Sequence, residues 1–190
     1  MSLVFFAGSA RDNSFNKKLA RAAYAEAQNK GADATFVDLA AYSMPLYDGD
    51  LEEQSGVPEN AQALKSIFKS ADGFFIASPE YNSGFSPLLK NVIDWCSRSE
   101  GLDDPMLSAF AGKVAVVGAT SPGGLGGMRG LVMLRMLLGN IGMHVLPSQV
   151  TVPAAMTAFD EDGILIDDNA KLGLTLAVDA LITTTAKLKS

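Results

Sequence analysis

The chain has 190 residues, 48% of them hydrophobic, and its 15 Lys and Arg against 21 Asp and Glu leave a net charge of −6. A chain of this length buries roughly 70% of its unfolded surface, enough for a single domain spanning the whole sequence. The acidic balance argues against a nucleic-acid partner, which needs a basic stripe to displace counterions, and the lone Cys96 rules out an internal disulfide.

The chain opens on a short apolar run, Leu3 to Ala7, followed by Gly8-Ser9-Ala10-Arg11-Asp12-Asn13-Ser14-Phe15-Asn16. An apolar strand ending in Gly-Ser before an amphipathic stretch reads as strand, tight loop and helix start. Small residues let backbone N–H groups approach a ligand there. Hydroxyls on Ser9 and Ser14, the Asn16 amide, the Arg11 cation and the positive end of the next helix suit a phosphate monoester. The alternative is structural: Ser14 or Asn16 caps the helix and Arg11 is a solvated loop charge.

Ser14 to Asn29 carries Phe15, Leu19, Ala22, Ala23 and Ala27 at helical spacing and stops at Gly31. Ala34 to Asp38 reads as a strand, and Leu39 to Glu59, full of turn residues around Leu46-Tyr47-Asp48-Gly49-Asp50, as the longest irregular stretch. Asn60 to Ser70 returns to helical spacing, and Gly73 to Ala77 is uniformly apolar, as in a strand covered on both faces. A ligand-type loop follows, Ser78-Pro79-Glu80-Tyr81-Asn82-Ser83-Gly84-Phe85. Its flat side chains at Tyr81 and Phe85 and free amides suit a heteroaromatic ring. Ser86-Pro87 then starts a helix that runs to about Arg98, capping hydroxyl first and proline next.

Glu100 to Ala111 reads as a loop, Lys113 to Ala119 as a buried strand, and Thr120 to Gly127 as a glycine-rich turn containing Ser121, Gly123 and Gly124. A helix from about Met128 to Ile141, a strand region His144 to Val152 and a helix from Asp168 to about Lys187 complete the chain. Strand and helix alternate five times. Parallel strands need helical crossovers, so the pattern predicts a doubly wound α/β sheet with helices on both faces. In a sheet of order 2-1-3-4-5, ligands sit beyond the carboxyl ends of the first and third strands, where the order reverses. A phosphate cradle, a ring-sized slot and a bare glycine wall on successive loops there describe a mononucleotide site.

These motifs resemble those of the NADPH-dependent FMN reductase family. The likeness rests on Gly8-Ser9-x-Arg11-x-x-Ser14-x-Asn16, on Ser78-Pro79-Glu80-Tyr81-Asn82 continuing into Leu89-Lys90-Asn91-x-Ile93-Asp94-Trp95, and on Gly123-Gly124-x-Gly126-Gly127-x-Arg129. Ser86-Pro87-Leu88 departs from it, because many relatives follow the proline with small residues. The resemblance implies a flavodoxin-like fold that binds FMN and takes hydride from NADPH or NADH. The acceptors would be quinones, free flavin, azo compounds or metal oxyanions. Because the flavin carries such chemistry, no catalytic side chain is expected. Ser9, Arg11, Ser14 and Asn16 are assigned to the phosphate, with Phe15 contributing backbone. Pro79, Glu80, Tyr81 and Asn82 are assigned to the ring, Ser121, Gly123 and Gly124 to the third side, and the Tyr47 loop to a cover over the acceptor.

Other polar residues read as structural. His144 is the only histidine, Cys96 lies on an apolar helix face, and Asp38 stands where a ribose-binding carboxylate would but follows no GxGxxG. Asp48 and Asp50 read as turn formers, no metal constellation is visible, and Arg129 is a candidate for the 2′-phosphate of NADPH. A non-catalytic flavodoxin-like carrier or sensor is the alternative function; Arg11 favours the reductase. The nearly all-apolar helix after Gly127 predicts a homodimer or a dimer of dimers. No segment has the length of a membrane span or the pattern of a leader, so a cytoplasmic location is expected.

Overall fold

The computed structural model describes residues 1–189. Five parallel strands lie in the order β2-β1-β3-β4-β5. They are β1 (Ser2–Ala7), β2 (Asp33–Val37), β3 (Gly73–Ala77), β4 (Val114–Thr120) and β5 (His144–Val152). The helices are α1 (Phe15–Asn29), α2 (Gly49–Ser55), α3 (Glu59–Ser70), α4 (Pro87–Cys96), α5 (Met128–Asn140), α6 (Ala155–Ala158) and α7 (Asp168–Lys189).

Alternate residues of the central strands feed two separate cores. Val4, Phe6, Phe74, Ile76, Ala115 and Val117 pack with Leu64, Phe68, Leu89, Ile93, Leu131 and Leu134, from α3, α4 and α5. Leu3, Phe5, Phe75, Val114 and Val116 pack with Leu19, Ala23, Leu174 and Leu181, from α1 and α7. This two-sided cover is why β3 and β4 are buried at every position and read as unbroken apolar runs. Phe5 and Phe75 stack across the strand pair at 6.1 Å, and burying such a ring contributes about 1.5–3 kcal/mol.

The stretch from Leu39 to Glu59 is more ordered than its turn residues suggest. It holds a single 3-10 turn at Leu39–Ala41 and then α2, whose start is set by the Asp48 carboxylate accepting from the amides of Asp50 and Leu51 at 2.8 and 3.2 Å. Between them the chain is strapped to α4. Asn91 Nδ2 and Trp95 Nε1 both donate to the Pro45 carbonyl, at 2.9 and 2.8 Å, and Asn91 Oδ1 accepts from the Tyr47 amide at 2.7 Å.

The segment after β5 also folds back on the domain. It forms α6 and an isolated bridge between Phe159 and Leu165, and Phe159 packs on Phe15 of α1 at 6.0 Å. Helical spacing could not reveal α6, which is a single turn of four residues.

Candidate active site

Because all five strands run the same way, the loops after β1, β3 and β4 emerge at one pole. The first two are joined by a single hydroxyl. Ser86 Oγ donates to the Gly8 carbonyl at 2.6 Å and accepts from the Leu89 amide at 3.2 Å, so the cap of α4 is also the tie to the loop after β1. Gly8 has no room for a side chain: a Cβ there would lie 2.7 Å from Ser86 Oγ and 2.8 Å from Leu89 Cβ. The tie and the close approach bring Gly8, Ser9, Ala10 and Arg11 together with Tyr81, Ser86, Pro87 and Leu88 around a groove of about 500 Å³.

Arg11 is exposed at this groove and makes no ion pair among the described residues. Ser9 and Ser14 are buried, with Ser9 Oγ accepting from the Arg11 amide and Ser14 Oγ from the Lys17 amide, each at 3.4 Å. Both hydroxyl protons are left to donate. The next two amides, of Phe15 and Asn16, open α1 and have no intrahelical acceptor. The Asn16 side chain itself is engaged elsewhere: Nδ2 donates to the Thr120 carbonyl at 3.0 Å and Oδ1 accepts from the Thr120 amide at 3.1 Å. Its amide group therefore fastens the start of α1 to the end of β4, and only its backbone N–H faces the loop as a donor.

The loop after β3 reverses in a tight turn. Tyr81 and Gly84 exchange hydrogen bonds at 2.8 and 3.0 Å, and the central residues Asn82 and Ser83 have φ of 51° and 66°. Two non-glycine residues in the left-handed region cost about 1–2 kcal/mol each, a strain of the kind concentrated at ligand loops. The turn holds Tyr81 51% exposed at the groove edge.

Glu80 points to α5. Its Oε1 accepts from Arg129 Nε and Nη2 at 2.7 and 2.6 Å, and its Oε2 accepts from the amides of Arg129 and Gly130 at 3.1 and 3.3 Å. Burial opposes the ionised form, but the Arg129 guanidinium and these amides outweigh it and hold the carboxyl below its usual range. With both oxygens occupied, Glu80 has its main chain left to border a ligand.

Beyond this pair lies a second groove of about 320 Å³, lined by Glu80, Ser121, Gly123, Gly124, Leu125, Gly127 and Arg129. Gly123 and Gly124 are exposed, and neither has a positive φ. A Cβ on Gly124 would meet no protein atom within 4 Å, and one on Gly123 only Ser121 Oγ at 3.8 Å. The fold itself does not require glycine at either position.

Other residues singled out from the sequence lie away from this pole or are otherwise engaged. His144 starts β5 and so stands at the opposite end of the sheet. Cys96 is fully buried, and burial pushes its thiol up to about 12. Asp38 caps the 3-10 turn and pairs with Lys17 at 2.7 Å. Tyr47, expected over the acceptor, bonds Glu52 at 3.0 Å and packs edge-on against Trp95; it lines neither groove. Ser86 and Thr120 are the polar positions whose part in joining the loops the sequence did not disclose. A capping Ser before Pro was the signal for the first, and Thr120 carried none.

The model of the NADPH-dependent FMN reductase family matches residues 1–157. The chain belongs to that family. It is 33% identical over 173 residues to an NAD(P)H-dependent FMN reductase of Pseudomonas aeruginosa, covering 90% of this chain and 88% of that protein. It is 32% identical over 187 residues to an NAD(P)H:quinone oxidoreductase of Solanum tuberosum, covering 96% and 91%. Among solved structures, the flavoenzyme NAD(P)H:(acceptor) oxidoreductase FerB of Paracoccus denitrificans superposes with a TM-score of 0.81 at 27% identity, covering 98% of this chain and 97% of that one. This reductase is thus an NAD(P)H-dependent FMN oxidoreductase on a flavodoxin-like fold. No helix among its described residues is long and apolar enough to cross a membrane.

Proposed function

We propose that the three loops hold FMN across the sheet's switch point, with its phosphate at residues 9 to 16 and its ring against residues 79 to 82. The observation that carries this reading is the pairing of an anion cradle, anchored by the unpaired Arg11, with a glycine wall that the protein's own packing does not demand. A flat ligand lying close to the main chain accounts for Gly123 and Gly124 where φ and neighbouring atoms do not.

Arg11 supplies charge to the phosphate. The hydroxyls of Ser9 and Ser14 and the amides of Phe15 and Asn16 supply donors. Pro79, the main chain of Glu80 and Asn82, and the Tyr81 side chain border the ring, and Ser121, Gly123 and Gly124 form the third side. FMN, when bound, supplies the redox chemistry, accepting hydride from a nicotinamide and returning electrons to an oxidant. The protein's task is to orient the ring and keep one face accessible, so no side chain here is assigned a proton transfer. The acceptor is a small planar oxidant such as a quinone or flavin, with azo compounds and metal oxyanions open to the same exposed face.

Subunit pairing belongs to the same reading. Met128, Val132, Met133 and Met136 form an exposed apolar stripe along the free side of α5, whose other side buries Leu131, Leu134 and Leu138. A two-fold dimer covers this stripe. Light scattering on the parent and on Val132→Glu tests it; a parent that is monomeric at micromolar concentration overturns the pairing. The buried, unpaired Cys96 fits a reducing, cytoplasmic setting.

Reconstitution with FMN followed by anaerobic addition of NADPH tests the activity. Rapid loss of the flavin's visible absorbance is expected, and a persistent oxidised spectrum with both NADPH and NADH contradicts it.

A further inference from the structure

Arg129 is the sole cation among the residues lining the second groove, so on charge alone it is where the 2′-phosphate of NADPH would be caught. The geometry points to a different outcome. We propose that Glu80 is a specificity-determining residue: it neutralises Arg129 and fills the start of α5, so that the groove does not distinguish NADPH from NADH. The inference rests on the reading of this groove as the approach of the nicotinamide dinucleotide.

Three observations carry it. The contact is a two-nitrogen fork, Arg129 Nε and Nη2 on one carboxylate oxygen at 2.7 and 2.6 Å, a strong charge-assisted arrangement. Next, the second carboxylate oxygen takes the amides of Arg129 and Gly130. Gly127 offers no side chain to cap α5, and these first-turn donors would otherwise attract an anion. The arrangement is also rigid and layered. A Cβ on Gly130 would lie 2.9 Å from the Gly84 carbonyl, so α5 is seated directly on the loop that carries Glu80. The Glu80 side chain is only 8% exposed behind a guanidinium that is 61% exposed.

An incoming 2′-phosphate, carrying about −1.5 to −2 charges, meets a pair that sums to zero and a helix start already occupied. Arg11 lies across the other groove, at the FMN phosphate. The pyrophosphate is common to both dinucleotides and cancels from any comparison. The parent enzyme is therefore expected to show kcat/KM values for NADPH and NADH within about threefold of each other, since no net charge favours either.

Four proteins form the test: the parent, Glu80→Gln, Arg129→Gln and the double variant, each loaded with FMN. Their local charge runs 0, +1, −1 and 0. The readout is the ratio of kcat/KM for NADPH to that for NADH, which cancels any shared loss of ring positioning. The ratio should rise about tenfold in Glu80→Gln, fall about as much in Arg129→Gln, and return near the parent value in the double variant. In Glu80→Gln the NADPH preference should also weaken as salt is raised. Glutamine keeps an oxygen over the α5 amides, and retained FMN content shows that each variant is folded. A ratio unchanged across the set overturns the proposal, as does a parent that strongly prefers NADPH. Failure of both dinucleotides to reduce the parent's flavin would instead overturn the reading of the groove.

Discussion

Replacing Gly8 by alanine is the sharpest test of how the two loops are joined. The new Cβ would sit 2.7 Å from Ser86 Oγ and 2.8 Å from Leu89 Cβ, neither of which is the free end of a flexible chain. To relieve the overlap α4 must retreat, and Ser86 then loses its 2.6 Å bond to the Gly8 carbonyl and strains its cap on the Leu89 amide. Overpacking of this kind costs about 1–3 kcal/mol and loss of a helix cap about 1 kcal/mol, so the expected destabilisation is about 2–4 kcal/mol. For a chain of this length that corresponds to a fall in Tm of about 4–16 °C. Urea unfolding and calorimetry measure the stability, and titration with FMN should show a parallel loss of affinity because the groove opens between Gly8 and Ser86. Parent-like stability in Gly8→Ala would mean that the tie does not hold the loops together, and the reasoning would fail.

Gly124→Val provides the opposite pattern. A Cβ at this exposed position would meet no protein atom within 4 Å, so stability should stay within about 0.5 kcal/mol of the parent while FMN affinity falls at least about tenfold; equal affinity would remove the glycine wall from the site. In Asp104→Ala, Lys65 loses a carboxylate that it and Lys69 contact from α3, leaving a buried ammonium with Glu100 at 3.1 Å and the Arg98 carbonyl. The cost should be about 3 kcal/mol in urea unfolding, and a change below about 1 kcal/mol would show that the ion cluster is dispensable. Cys96 should resist thiol reagents at pH 8 until the chain unfolds, because its folded-state thiol is raised to about 12. The sign follows from linkage: stability associated with the neutral thiol is intact below the ordinary value of 9.0 and is lost as pH climbs toward 12. Fast labelling of the native protein at pH 8 would contradict that burial.

The middle of the sheet was legible in the sequence because β3 and β4 are covered on both faces and so read as uninterrupted apolar runs, as in Phe74-Phe75-Ile76 and Val114 to Val117. The loops of the site were legible because their composition is tied to chemistry, small residues and hydroxyls before a helix start in one and a Pro-Glu-Tyr-Asn turn in the other. What the sequence withheld is how individual side chains are spent. Asn16 stood in a phosphate motif, yet its amide is satisfied by Thr120, more than 100 positions away, a pairing that local spacing cannot encode. Glu80 stood in a ring motif, yet its carboxylate caps a helix that begins almost 50 residues later. The Tyr47 strap looked irregular because its order comes from Asn91 and Trp95 of α4 and not from its own periodicity.

The central claim is that the loop after β1 holds the phosphate of FMN through Arg11. The most direct measurement is the affinity of Arg11→Ala for FMN and for riboflavin, which lacks the phosphate, by fluorescence quenching at fixed salt. The account predicts that FMN binding weakens by about 1.5–3 kcal/mol, the worth of a hydrogen bond to a charged group, while riboflavin binding is unchanged. Equal loss for both ligands, or no loss for FMN, would contradict it.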